Sequence, residues 1–86
     1  MKLLHWRQLR KERTQIWVAD QIGVSQSFIS LIERAVDPQT PNAEVMRKIY
    51  ILTAGQVQPN DFYDVPAWEA ERIREEAEAE IARRAA

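Results

Sequence analysis

With 86 residues, 12 Lys+Arg against 13 Asp+Glu and no cysteine, the chain has room for one small domain and lacks the strong positive charge usual in nucleic-acid binders. The missing cysteines exclude a disulfide framework and a thiolate metal site. A hydrophobic share of 45% with only two glycines excludes a disordered or fibrous chain, and long Ala-rich segments favour an all-α fold.

The charge is uneven. Residues 1–65 carry eight bases and seven acids, whereas residues 66–86 carry four bases and six acids, so the last segment makes the chain acidic. At the other end, MKLLHWRQLRKER has too short an apolar run for a signal peptide or membrane span, because charge arrives at Arg7. A soluble, cytoplasmic protein with no membrane contact is expected. Arg10, Lys11 and Arg13 cluster ahead of the second helix and offer one positive face.

In chain order, Leu3 to about Lys11 reads as a first helix, with Leu3 or Leu4, Trp6 and Leu9 near one face. His5 lies beside that stripe and, as the chain's only histidine, has no partners for a metal site. Thr14 is suited to cap a second helix that starts at Gln15, runs to about Ile22, buries Val18, Ala19 and Ile22, and stops at Gly23. Ser25 caps the third. On a wheel of about 3.6 residues per turn, Gln26, Ser30, Arg34, Ser27 and Leu31 fall on an arc of about 140°, with Phe28, Ile29 and Ile32 opposite. This outer face is short-armed and polar, which lets a rigid flat partner such as a base-pair edge come close.

The stretch Thr14 to Arg34, TQIWVADQIGVSQSFISLIER, resembles the helix-turn-helix of the Xre/Cro/cI (lambda-repressor-like) family of DNA-binding regulators. The likeness rests on Thr14-Gln15, the small Ala19, Gly23-Val24-Ser25, Gln26-Ser27, Ile29, Ile32 and Glu33-Arg34, and extends to TAGQVQPNDFY, covering roughly residues 4 to 64. It implies a five-helix domain over residues 1–65, with residues 66–86 as an added C-terminal helix. It also implies a homodimer on double-stranded DNA, helix 25–34 lying in the major groove of a pseudo-palindromic operator and regulating by occupancy, with repression favoured. Gln26 then matches the adenine edge, Ser27 and Ser30 meet base edges, and Leu31 meets a thymine methyl. Gln15, Arg34, Gln39, Thr40, Arg10 and Arg13, with the amides opening helices 2 and 4, hold the phosphate backbone. Arg10 pairs with Glu33 in this scheme. The chain departs from the family in a short step from helix 1 to Thr14, in Ala35 where glycine is usual, and in the apolar pair Ile16 and Trp17. That pair is either extra core or a partner surface.

Beyond Arg34, Thr40 and Pro41 are expected to open a fourth helix with Val45, Met46, Ile49 and Leu52 inward and Tyr50 on its flank, ending at Gly55. Gln58 to Phe62 reads as a short fifth helix, with Val57 and Phe62 spaced as a hydrophobic staple. From Pro66 onward, PAWEAERIREEAEAEIARRAA is a long charged helix with a thin stripe of Ala70, Ile73, Ala77 and Ile81. Three readings stand: a solvated extension, a dimer contact by coiled-coil pairing or by docking of Trp68, with Ile73 and Ile81 among its contacts, or a site for an effector, a protein antagonist or a co-regulator. No enzyme signature, cofactor motif or metal-ligand set is present in the sequence. The alternative function is a protein-interaction module on the same fold, of antitoxin or anti-repressor type, acting through helix 2 and the last helix.

Overall fold

Local chemistry sets the first boundaries. The Thr14 hydroxyl accepts from the Trp17 N–H and starts a helix, and Gly23, at φ 74, ends it in the left-handed region. Two residues on, the Ser25 hydroxyl accepts from the Phe28 N–H and starts the next. The computed structural model describes residues 1–85: α1 (Leu3–Gln8), α2 (Gln15–Ile22), α3 (Gln26–Ile32), α4 (Ala43–Leu52), a 3-10 turn (Pro59–Asp61) and α5 (Ala67–Ala85). Every regular element among the described residues is helical, so the fold is all-α.

Val18, Ala19 and Ile22 from α2, Ile29 and Ile32 from α3, and Val45 and Ile49 from α4 meet Leu3, Trp6 and Val57 in one core. α2 packs on α3 and α4, and α5 runs antiparallel along α4, as the pairings of Tyr50 with Glu78 and Arg47 with Glu80 show. Ala70, Ile73 and Ala77 are buried, at 1%, 2% and 0% exposure. The C-terminal helix is therefore part of the fold rather than a solvated extension. Ile73, read above as a dimer contact, is a core residue.

Several boundaries differ from the sequence reading. α1 stops at Gln8 instead of Lys11, because the chain must turn into α2 within a few residues. It does so through tight bonds from Arg10 N–H to the Arg7 carbonyl (3.2 Å) and from Arg13 N–H to the Arg10 carbonyl (3.1 Å), leaving Leu9 60% exposed. α4 starts two residues late: Asn42, not Thr40, caps it, accepting from the Val45 N–H at 2.9 Å. It ends at Leu52, and Tyr50 is buried rather than flanking. The fifth helix is a single 3-10 turn held by reciprocal Gln58 and Asp61 capping bonds. No helix of the described residues is long and apolar enough to cross a membrane.

Candidate nucleic-acid interface

α3 presents the face drawn on the wheel. Gln26, Ser27, Ser30 and Arg34 are exposed and Leu31 is half-buried, while Ile29 at 0% and Ile32 at 7% anchor the helix from behind and Phe28 packs against the core. The outer side chains are short and sit on a helix fixed by its cap and by two isoleucines. Their positions are thus set by the backbone rather than by long flexible arms.

Behind Gln26 lies a chain of polar contacts. Its amide Nε2 donates to Gln15 Oε1 at 3.4 Å, and Gln15 Nε2 donates to Glu33 Oε1 at 3.0 Å. Arg7 then grips both Glu33 oxygens through Nε and Nη2, each at 2.7 Å, and spends Nη1 on the Arg13 carbonyl at 3.2 Å. The Glu33 and Arg7 side chains are only 5% and 14% exposed, so a charge-assisted fork stands in a low-dielectric setting where losing one partner strands the other. With one N–H engaged by Gln15, the Gln26 amide still offers an N–H and its carbonyl oxygen, the donor and acceptor pair that adenine's N7 and N6 complement.

This fork corrects the expected pairing of Arg10 with Glu33. Since α1 ends at Gln8, its last turn belongs to Arg7, one turn before Arg10, and Arg10 lies exposed in the turn to α2. The short interval before Thr14 is the sequence signal for the shift. Arg13 is likewise not a free cation: its guanidinium covers the Trp6 ring at 3.7 Å and donates to the Trp6 carbonyl at 3.0 Å. On Trp6 stacks Trp17, centroid to centroid 6.3 Å at 24°, so Trp17 is extra core and of the apolar pair only Ile16, 57% exposed, faces outward.

The remaining named positions separate into engaged and free. The Thr40 hydroxyl donates to the Tyr63 carbonyl, and the Gln39 N–H ties the loop to the Leu31 carbonyl at 3.0 Å while its side chain is exposed. Arg34 Nη2 donates to the Asp37 carbonyl at 2.8 Å, and Asp37, not Ala35, takes the left-handed backbone at φ 49. Among the described residues Arg10, Lys11 and Arg34 have no ion-pair partner, so cations flank the polar face before α2 and after α3. Trp68 is 66% exposed and Ile81 half-buried on α5. No protein-family model matches the chain, and comparison with curated proteins and with solved structures finds no similar one.

Proposed function

We propose that this chain is a sequence-specific, double-stranded-DNA-binding transcriptional regulator, similar to the Xre/Cro/cI family, that lays α3 in the major groove and acts in the cytoplasm as a homodimer on a pseudo-palindromic site. The observation that carries the reading is the brace from Arg7 through Glu33 and Gln15 to Gln26, which holds one exposed amide at the start of a short, capped helix. A solvated surface has no use for a pre-positioned amide; a base edge does.

In this reading Gln26 takes an adenine, Ser27 and Ser30 meet neighbouring base edges and Leu31 meets a thymine methyl. Gln15, Arg10, Arg34 and Gln39 set the register on phosphates. Arg13 and the Thr40 hydroxyl are left out, since both are engaged inside the fold. Regulation follows from occupancy of a promoter, with repression favoured. The protein-interaction alternative loses half of its α2 surface to the stack of Trp17 on Trp6.

The test is selection of bound duplexes from a random pool, followed by Gln26→Ala. The expected loss is about 1–3 kcal/mol on the selected site with little change on random DNA. Equal, weak affinity for every duplex before and after the substitution sinks the reading.

A further inference from the structure

A cleft of about 310 Å³ opens where the start of α1, the end of α3 and the segment after the 3-10 turn meet. Leu4, Ile32, Pro38, Phe62 and Tyr63 give it apolar walls. Two carboxylates also line it, and both are spent: Glu33 on Arg7 and Gln15, Asp61 on the Gln58 N–H at 2.7 Å and the Met1 ammonium at 2.8 Å. Its cations are not. Lys2 has no ion-pair partner among the described residues, and Arg34 gives one N–H to a carbonyl. The cleft is therefore apolar within and positive at its edge.

The complement of that surface is carried by the outer face of α5. Trp68, 66% exposed, is followed one and two turns later by Glu71 and Glu75, exposed and without ion-pair partners among the described residues, on the side opposite buried Ala70, Ile73 and Ala77. Trp68 lies five residues beyond Tyr63 yet does not line the cleft, so the chain does not fill its own cavity.

We infer that the cleft receives the Trp68, Glu71 and Glu75 face of a second copy of this chain, reciprocally about a two-fold axis. The indole enters between Leu4 and Phe62, and the two carboxylates meet Lys2, which leaves Arg34 to the DNA. In an isologous pair each copy both offers its α5 face and receives its partner's, so one two-fold axis relates the two exchanges. In naming the partner and surface of the dimer, this inference extends the DNA-reading proposal, and its charge and apolar arguments stand without that reading.

The experiment is sedimentation of the full chain without DNA. The wild type is expected to form a concentration-dependent dimer, and Trp68→Ala to weaken it about tenfold or more, as removal of a buried indole anchor does. Lys2→Glu alone and Glu71→Lys with Glu75→Lys are each expected to weaken association, and the three changes together to restore it. Restoration cannot come from damage to the fold. A monomeric wild type, a dimer indifferent to Trp68→Ala, or a triple variant no better than its parents overturns the inference. A monomer that still selects a half-site through Gln26 refutes the dimer surface and spares the DNA reading; a dimer of this kind with no duplex preference does the reverse.

Discussion

α3 and α5 are held in opposite ways. α3 has seven residues, too few to be stable alone, and is fixed by its Ser25 cap, two buried isoleucines and the polar brace from α1 and α2. α5 has nineteen and attaches by three small or branched residues, with Tyr50 to Glu78, Arg74 to Asn60 at 3.4 Å, and Arg47 Nε 3.7 Å from Glu80, beyond hydrogen-bonding reach. Within α5, Arg72 to Glu76 and Arg84 to Glu80 add pairs one turn apart. The short helix is fixed by cap, core and brace, whereas the long one combines its packing on α4 with ion pairs along its own length. The side chains on the outer face of α3 thus stand on the more heavily braced of the two helices.

Substitutions should separate the two regimes. The largest effect is expected from Ile29→Ala, at 0% exposure behind α3, with a loss of about 4 kcal/mol in urea denaturation, close to the whole stability of a domain this size. Next, Glu33→Ala removes one arm of a buried pair and should cost about 3 kcal/mol. It should also free Gln15 and Gln26, visible as loss of slow amide-proton exchange along α3. If the cost stays below that of an exposed pair, the brace is decorative and the contrast with α5 collapses.

On α5 the effects should be smaller. Tyr50→Phe removes the hydrogen bond to Glu78 and should cost about 1 kcal/mol. That bond first, and burial second, raise the Tyr50 phenol above its ordinary value of 10.0. A raised value means that the neutral phenol is the form the fold favours. Its contribution is therefore fully present below pH 10.0 and is lost as pH climbs through the folded-state value, so unfolding curves should show an alkaline loss that Tyr50→Phe lacks. Smallest of all, Arg72→Ala, at the exposed pair with Glu76, should cost about 0.3 kcal/mol and vanish in high salt.

What the sequence made legible was local. Thr14, Gly23 and Ser25 set helix ends through their own hydroxyls and left-handed backbone, so α2 and α3 and the outward set Gln26, Ser27, Ser30, Leu31 and Arg34 were readable from spacing. Contacts between distant segments were not. Arg7 and Arg10 are equivalent on a helix wheel of α1, and only the early stop at Gln8 decides which of them meets Glu33. Thr40 and Asn42 are both good caps two residues apart; Asn42 takes the Val45 N–H, while the Thr40 hydroxyl donates to the Tyr63 carbonyl, a partner 23 residues away. The thin stripe on α5 was visible, but that α4 would cover it depends on Tyr50 facing inward. Arg13 looks like a free cation in sequence and becomes one layer of a stack only because α1 and α2 bring Trp6 and Trp17 together.

That stack gives the protein a built-in set of optical reporters. Two of its three indoles, Trp6 and Trp17, lie against each other at the junction of α1 and α2, while the third, Trp68, stands in water at the other end of the chain. Soluble quenchers will reach Trp68 and spare the pair, so one emission spectrum splits into an inner component that follows the integrity of the α1–α2 junction and an outer component that follows whatever approaches α5.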